Sequence, residues 1–283
     1  MSVKIIVDSA SDLTLEEANS MGLGLLSMKI IFGPEEEYKD GVDITKEEFF
    51  KKMESQDKLP HTSQITPYDF QEAFDEALKT YDEVLCISMS SKLSGSYQNA
   101  ALVASSYDGK VQVVDSENVC IGIRILIKYA ISLVNEGKSA KEVADILNVE
   151  KKNVRVIALL DTLENLKKGG RISSTAAFVG ALLNIKPVIC IEDGLVRMHG
   201  KARGAKNGHN KLREYIYESG GVDFKMPYAL AYSGCSREKL DSYIENSRDL
   251  ILDEDSLDIG LIGATIGTHA GTNAIAVAYF KKK

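Results

Sequence analysis

Short apolar segments alternate with capped, amphipathic segments along the whole chain, and this alternation restricts the fold more than any other feature. Most of the apolar runs are continuous and rich in β-branched residues, which is typical of strands covered on both faces of a sheet. The segments between them have the spacing of helices. The pattern therefore predicts an α/β protein. The predicted strands are residues 3–7, 25–32, 84–88, 111–114, 154–160, 187–191, 195–198, 228–232 and 257–264.

Helix start and stop signals mark the segments between these strands. Residues 45–48 (Thr-Lys-Glu-Glu) and 139–142 (Ser-Ala-Lys-Glu) fit the capping box, in which a hydroxyl and an acid each bind a free backbone N–H group. Thr66 precedes Pro67, and proline is favoured at the first position of a helix. Residues 163–168 precede two glycines, which predicts a short helix that ends there.

The second half of the chain carries a strong signal for antiparallel pairing. Asp193 and Gly194 lie between two strand runs, and this dipeptide favours a type I′ hairpin turn. The apolar run 274–280 is predicted as a final helix. We therefore predict two lobes: an N-terminal α/β/α lobe over 1–152 with a mostly parallel sheet, and a C-terminal α/β lobe over 153–283 with a mixed sheet.

The composition excludes several classes of protein. The net charge of −7 argues against non-specific binding of nucleic acid, which requires basic surfaces. The N-terminal segment contains acids and lacks the apolar core of a signal peptide. Because no apolar run approaches the ~20 residues that span a bilayer, no membrane insertion is expected. The four cysteines are far apart and form no CxxC pair, which fits reduced thiols and a cytoplasmic protein.

The ends of the predicted strands carry candidate binding residues, because ligands of open α/β sheets bind beyond the carboxyl ends of the strands. In segment 88–97, Ser94 and Gly95 form a helix entrance whose N–H and hydroxyl groups suit an anion, although an ordinary serine cap fits equally. In segment 260–272, a glycine-rich loop carries His269. Its small neighbours leave room for a ligand, and a structural role for this histidine stays open.

Two further kinds of segment are candidates for contact with a ligand or a partner. The polar loop 60–67 lies between two predicted helices and is rich in hydroxyl groups. The basic segments 167–173 and 201–203 lie on an otherwise acidic chain, where they are either solvated surface or a guide for an anionic group. The candidate residues are Thr62 and Ser63 in the loop, and Arg171 and Arg203 in the basic segments.

The sequence lacks the motifs of common enzyme classes. It contains no HExxH and no cysteine–histidine cluster with zinc spacing, so no metal is expected. It has no GxSxG, no GxGxxG and no phosphate loop, so neither a hydrolase triad nor a nucleotide cofactor is supported. Asp8 and Asp115 end strands, where each could be an acid or a helix cap. The residues predict a site for a small uncharged or anionic ligand and no catalytic residues.

A set of motifs, in their order and spacing, resembles the DegV family. The resemblance runs nearly from end to end of the chain. Each motif is modest by itself, whereas the set is highly specific. The motifs are VDSASD at 7–12, DGVDI at 40–44, TSQ at 62–64, SKLSGSYQ at 91–98, VDS at 114–116, DTLENLKKGGRIS at 161–173, LNIKP at 183–187 and GTHAG at 267–271.

This resemblance implies a fatty-acid-binding protein of two α/β lobes. Members of the family hold one long acyl chain in a buried tunnel, mainly in the C-terminal lobe, with the carboxylate between the lobes. They are carriers without turnover of their own, and a fatty-acid kinase transfers a phosphoryl group from ATP to the bound carboxylate. Matching positions imply carboxylate contacts at Thr62, Ser63, Ser94, Gly95 and His269, and contacts with the phosphoryl group or the kinase at Arg171 and Arg203.

The chain departs from the family pattern near the predicted carboxylate site. Residues 270–273 (Ala-Gly-Thr-Asn) replace the Gly-Pro-Gly that usually follows the histidine, and Ile65 replaces a proline after the TSQ motif. Two other functions stay open. One is an enzyme that processes a lipid or a small acid with Ser94 or His269. The other is a lipid sink or regulator that works without a kinase.

Overall fold

The computed structural model describes residues 2–172, 184–250 and 257–283, so Ser173 and Leu183 of two motifs above lie outside the described residues. The strands are β1 (Val3–Asp8), β2 (Gly24–Leu26), β3 (Lys29–Phe32), β4 (Glu36–Lys39), β5 (His61–Ser63), β6 (Glu83–Ser88), β7 (Val111–Asp115), β8 (Val154–Leu159), β9 (Ile185–Glu192), β10 (Leu195–Arg203), β11 (Tyr228–Tyr232), β12 (Asp258–Leu261) and β13 (Ile275–Phe280). The helices are α1 (Leu15–Ser20), α2 (Lys46–Glu54), α3 (Pro67–Ala77), α4 (Ser96–Ala104), α5 (Ile121–Asn135), α6 (Ala140–Glu150), α7 (Glu164–Lys168), α8 (Gly204–Glu218), α9 (Glu238–Glu245) and α10 (Ala264–Ala270).

A parallel sheet forms the N-terminal part, in the order β2-β1-β6-β7. Consecutive side chains of a strand point to opposite faces. Ile5, Ile6 and Val7 on β1 are nevertheless all buried, so both faces of the sheet are covered. The predicted capping boxes at 45–48 and 139–142 are present at the start of α2 and α6. The prediction of a mostly parallel N-terminal sheet is confirmed.

A six-stranded mixed sheet forms the C-terminal part, in the order β10-β9-β8-β13-β11-β12. Among its described strands, β11 and β12 pair in parallel and the other neighbours pair antiparallel. Asp193 and Gly194 join β9 to β10, with φ of 49° and 74°, which is the left-handed conformation that a type I′ turn requires. The predicted hairpin and the predicted mixed sheet are confirmed.

Three of the predicted strands and helices are wrong. The run 274–280, predicted as a helix, contains strand β13, which pairs with β8 and β11 inside the mixed sheet. Periodicity does not distinguish a fully buried strand from a buried helix, and here the tertiary pairing decides. The run 25–32 divides into β2 and β3, which belong to different sheets. The strand predicted over 257–264 ends at Leu261, and a helix begins at Ala264.

Helix α5 joins the cores of the two large sheets. It contacts β1 and β6 of the parallel sheet and β8, β11 and β13 of the mixed sheet, and its residues Ile123, Ile125 and Leu126 are fully buried. Residues on both sides of the predicted lobe boundary, between 152 and 153, therefore share one continuous core. Each large sheet takes its strands from one side of that boundary, which itself stays a prediction. No helix in the described ranges is long and apolar enough to cross a membrane.

Arg124 on α5 forms a buried ion-pair network that connects α1 to β12. Its Nε donates to both carboxylate oxygens of Asp258 at 3.0 Å, and its Nη2 donates to Glu17 at 2.9 Å. Lys128, one helical turn later, lies 2.8 Å from Asp258. Because Arg124 and Asp258 are both nearly inaccessible, the cost of taking these charges out of water is offset only while the pair is intact.

We expect Arg124→Ala to lower the free energy of unfolding by about 3 kcal/mol, because it leaves buried carboxylate charge with weaker compensation. Arg237→Ala is the control, because it removes an exposed pair with Asp241 and should cost less than about 1 kcal/mol. Urea unfolding followed by circular dichroism measures both values. Equal losses in the two variants would show that the buried network does not stabilise the fold.

Candidate functional site

Helix α10 carries His269, whereas the sequence predicts a glycine-rich loop there; that prediction is wrong. Side chains from the N-terminal part of the chain make the helix possible, because the carboxylates of Asp12 and Asp40 accept hydrogen bonds from the N–H groups at its start, which have no partner within a helix. The bonds run from Gly263 N to Asp12 Oδ1 (2.9 Å), from Ala264 N to Asp40 Oδ1 (3.0 Å) and from Thr265 N to Asp40 Oδ2 (3.0 Å).

Both of these carboxyl groups are fully buried. Burial raises the pKa of Asp12 to about 6, against the opposing effect of the Lys46 charge. Burial likewise raises the pKa of Asp40, against hydrogen bonds from Thr265 and Ala264. The Nζ of Lys46 donates to the backbone carbonyl of Asp12 at 2.6 Å. Buried acids are costly unless their oxygens are hydrogen-bonded, so the bonds to α10 are also what makes their burial tolerable.

The body of α10 packs against α2 through Gly267. A methyl group at this position would lie 2.8 Å from the rings of both Phe49 and Phe50. Both rings are completely buried. Any larger residue would therefore push α10 away from α2, and with it His269, which lies two residues further along the same helix.

Thr62 meets His269 at the other side of the site. The Oγ1 of Thr62 and the Nε2 of His269 are 3.3 Å apart. Thr62 lies on β5, which pairs with β3 in a small sheet of the order β4-β3-β5, so that Thr62 is opposite the buried Ile30. The segment 60–67 is therefore partly a strand and not wholly the predicted loop. This pairing holds the hydroxyl of Thr62 in a defined position.

His269 is neutral at physiological pH. Burial, and secondarily the charge of Arg171, lowers its pKa to about 4. Its Nδ1 is buried and has no hydrogen-bonding partner in the described part of the chain. Gly169 lies against this atom so closely that a methyl group there would be 2.3 Å from Nδ1. Placing the proton on Nε2 leaves no buried N–H group unpaired, so Nε2–H is the donor of this imidazole.

Ser94 and Gly95 form the entrance to α4. The Oγ of Ser94 lies 3.0 Å from the Oγ of Ser96, which accepts a hydrogen bond from the N–H of Ile65. Gly95 faces Gln64, and a methyl group at Gly95 would lie 2.0 Å from Gln64 Oε1. The two predicted segments around Thr62 and Ser94 thus meet, because glycine lets the TSQ segment approach the start of α4.

A cavity of about 260 Å³ lies where these elements meet. Its polar lining comes from the side chains described above, and the rest of its lining is apolar. A smaller cavity of about 60 Å³ adjoins it beneath the mixed sheet, and apart from two thiols the lining of this cavity is wholly apolar. The two share the lining residues Val119, Ile189, Ile191, Ile266 and Ala270. They form an apolar space with polar groups at one end only.

An outer pocket of about 450 Å³ adjoins the polar end and shares Thr62, Arg171 and His269 with the cavity. Basic side chains contribute to its lining, and Arg171 is fixed there by hydrogen bonds to backbone carbonyls, from Nε to Leu93 O at 3.3 Å and from Nη1 to Gly169 O at 2.5 Å. The additional basic lining residues are Lys58, His61 and Lys168.

Most of the predicted site residues therefore come together. Arg203 does not: it is exposed at the end of β10 and lines neither the cavity nor the outer pocket. The described residues contain no group of His, Cys, Asp or Glu that could hold a metal ion. The candidate residues that line the cavity are Thr62, Ser63, Ser94, Gly95, Arg171 and His269.

Sequence reasoning missed the residues that act on the site through other residues. Asp12 and Asp40 occur in motifs of the family resemblance, but their partners lie more than two hundred positions away in the chain. In the sequence, Gly169 indicates only the end of a helix. No neighbouring residue indicates that it contacts His269. Thr265 also lines the cavity, whereas in segment 260–272 the sequence indicates only His269 as a candidate.

An α/β protein with an apolar cavity that is polar at one end has the architecture of a protein that binds a small amphipathic ligand. A family model described as "Uncharacterised protein, DegV family" matches residues 2–282. A DegV domain-containing protein of Caldanaerobacter subterraneus subsp. tengcongensis is 32% identical over 283 residues, with 99% of both chains covered. The chain therefore belongs to the DegV family.

Two solved structures of similar proteins have the same fold. A DegV family protein from Thermus thermophilus, described by its fatty acid binding, superposes with a TM-score of 0.88 at 29% identity and covers 99% of this chain and 100% of its own. A stearic acid-binding protein from Eubacterium ventriosum superposes with a TM-score of 0.85 at 25% identity and covers 99% of this chain and 98% of its own.

We expect Gly169→Ala to raise the pKa of His269 above its value of about 4, because the new methyl group would force the imidazole toward water. Gly169 has φ of −76°, so alanine adds no backbone strain. An NMR titration of the histidine side chains measures the pKa. Gly200→Ala is the matched control, because a methyl group there meets open space. An unchanged pKa in Gly169→Ala would contradict the close contact.

Arg171→Gln is also expected to raise the pKa of His269, because it removes a positive charge that opposes protonation. The rise should be smaller than the rise caused by exposing the imidazole to water, because burial lowers this pKa more than the Arg171 charge does. In the unfolded chain, the pKa of this histidine is near 6.5. As the pH falls, His269 is therefore protonated at a higher pH in the unfolded chain than in the folded protein. The contribution of His269 to the free energy of unfolding therefore falls as the pH falls from about 6.5 to about 4, and Arg171→Gln narrows that window.

The NMR titration is again the appropriate measurement for Arg171→Gln. Asp8 and Asp12, whose pKa burial raises to about 6, change the stability in the opposite direction between about pH 6 and 3.8, so unfolding curves would mix the effects. Lys168→Gln is the control, since Lys168 pairs with Glu164 at 2.6 Å on the surface. An equal change of the His269 pKa in both variants would show that the Arg171 charge has no specific effect on this imidazole.

Proposed function

We propose that this protein binds one long-chain fatty acid, with the acyl chain in the apolar cavity and the carboxylate at its polar end. The observation that carries the proposal is the combination of a mainly apolar cavity with hydroxyl, amide and imidazole groups at one end only. A ligand that fits such a lining has a long hydrocarbon part and a single polar end, which is the structure of a fatty acid.

The relatives support the same ligand class. The Thermus thermophilus protein is described by its fatty acid binding, and the Eubacterium ventriosum protein as binding stearic acid. Both cover nearly the whole of this chain, so the site region is included in the likeness. The acyl tunnel that we propose is the apolar space formed by the two adjoining cavities, whose apolar lining comes mainly from the part of the chain after residue 152.

The energetics of the two ends differ. Burial of the acyl chain contributes about 0.8 kcal/mol per CH₂ group, so a long chain supplies most of the affinity. The carboxylate would be costly to bury without donors. Thr62, Ser63 and Ser94 offer hydroxyl groups, and the Nε2–H of His269 offers a further donor. The charge of Arg171 lies on the same side of the cavity and favours an anion there.

We propose further that the carboxylate lies between two lobes, over 1–152 and 153–283. Thr62 and Ser94 come from the first lobe, and Arg171 and His269 come from the second. The outer pocket next to them is lined by basic side chains and gives a partner access to this end of the ligand.

The partner we propose is a fatty-acid kinase. It would transfer the γ-phosphoryl group of ATP to a carboxylate oxygen, which forms acyl phosphate and leaves ADP, and Arg171 would contact the phosphoryl group or the kinase. A cytoplasmic location, where ATP is available, is part of this proposal. A lipid sink or regulator without a kinase is the alternative, and it would give no acyl phosphate when loaded protein is mixed with such a kinase and ATP.

The site favours a carrier over an enzyme that uses Ser94 or His269. A catalytic serine–histidine pair needs a third group that orients the histidine. The Nδ1 of His269 has no such partner within the described residues, and the Oγ of Ser94 is next to the Oγ of Ser96. Hydrolysis of an acyl ester by the purified protein, lost in Ser94→Ala, would favour the enzyme instead.

Native mass spectrometry of the protein incubated with stearic acid is expected to show one fatty acid per chain. Thr62→Ala and Ser94→Ala should each weaken the free energy of stearic acid binding by about 1–3 kcal/mol, because each removes a donor to a buried charge. Ser105→Ala is the control, since the exposed Ser105 hydroxyl donates only to the Leu102 carbonyl. Its affinity should equal that of the unchanged protein.

Two outcomes would count against these assignments. A protein that stays free of ligand when stearic acid is added would contradict fatty-acid binding as a whole. If Thr62→Ala and Ser94→Ala both bind stearic acid stoichiometrically and with full affinity, the protein still binds fatty acid. These two residues would then not be contacts of the carboxylate.

A further inference from the structure

We propose that Asp40 and Asp12 are positioning residues for the ligand carboxylate, because they hold the start of α10 and thereby fix His269. This inference rests on the proposed function. Neither acid lines the cavity, and neither would touch the ligand. Their role is to set the position of the one imidazole at the polar end.

The capping geometry is unusually restrictive. A single serine or threonine hydroxyl from the preceding residue is the common way to cap a helix. Here Asp40 uses both of its carboxylate oxygens on two successive N–H groups, and Asp12 holds the N–H of the residue before them. Because the acids come from two separate segments of the N-terminal part, they fix both the position of the first turn and its rotation about the helix axis.

The burial of Asp12 and Asp40 indicates that they do more than cap the start of α10. Asp40 and Asp12 are about 2% and 1% exposed, and Lys46, whose ammonium group lies close to them, is about 9% exposed. Two buried acids of like charge are an expensive arrangement for a helix of seven residues. The chain therefore uses costly groups at a place where a neutral cap would satisfy the same N–H groups.

The helix is short enough to transmit the position of its first turn to His269. His269 lies five positions after Ala264, which is a rise of about 7.5 Å at 1.5 Å per residue. The hydroxyl of Thr268 donates to the carbonyl of Ala264 at 2.9 Å, which ties the last turn to the first. A shift of the first turn therefore moves the imidazole relative to Thr62, because Thr62 is held separately, on β5 of the small sheet.

The replacement Asp40→Asn tests this role. An asparagine keeps the size of the side chain, but its NH₂ group would face the N–H of Ala264 or Thr265, so one of the two capping bonds is lost. We expect the affinity for stearic acid to fall about tenfold or more. The affinity for stearyl alcohol, which has the same chain and no charge, should change less than about twofold.

A double-variant cycle with His269→Ala separates positioning from a general loss of stability. If Asp40 acts through His269, adding Asp40→Asn to His269→Ala should not weaken stearic acid binding any further. Asp43→Asn is the matched control: Asp43 is exposed, three residues away, and its carboxylate binds only the Lys39 N–H. It should leave the affinities for both ligands unchanged.

Gly267→Ala provides a second route if Asp40→Asn fails to fold. It displaces the same helix from Phe49 and Phe50 without touching either acid, so it should also weaken stearic acid more than stearyl alcohol. Equal weakening of both ligands, or full additivity with His269→Ala, would overturn the positioning role. An unchanged protein that binds the acid no better than the alcohol would instead contradict the proposed polar end.

Discussion

The docking of α10 onto two buried carboxylates is the interaction on which the site depends. Asp12 lies four residues after the end of β1 and Asp40 directly follows β4, whereas the helix they hold is close to the end of the chain. Their bonds bring His269 beside Thr62 and close one end of an apolar cavity. Without that docking, the C-terminal helix would have unpaired N–H groups in the core, and the polar end of the cavity would lose its imidazole.

Close approach between elements is the second constraint. Gly95, Gly169 and Gly267 each stand where a methyl group would collide with a group of the site or its support. At these three positions the absence of a side chain lets a helix or turn come within contact distance of Gln64, His269 and the α2 rings. The fold thus uses glycine for proximity here, while Gly194 in the hairpin is needed for its left-handed backbone.

The electrostatics of the site suit an anion, because its imidazole is neutral and its charged groups are basic. His269 is neutral, because burial and the Arg171 charge both oppose its protonation. It can therefore donate a hydrogen bond to a carboxylate without forming a full ion pair. The basic side chains gather in the outer pocket, on a chain with a net charge of −7.

The sequence by itself determined the elements whose signals are local. The capping boxes at 45–48 and 139–142 and the Asp193–Gly194 turn are as predicted, since each depends on neighbouring residues. The hydroxyl-rich strand ends likewise marked the cavity lining. Only the tertiary structure decided that 275–280 is a strand, because a buried apolar run fits a helix or a strand until its neighbours are known. The tertiary structure alone also decided that the residues around His269 form a helix, because the acids that cap this helix are distant in the chain.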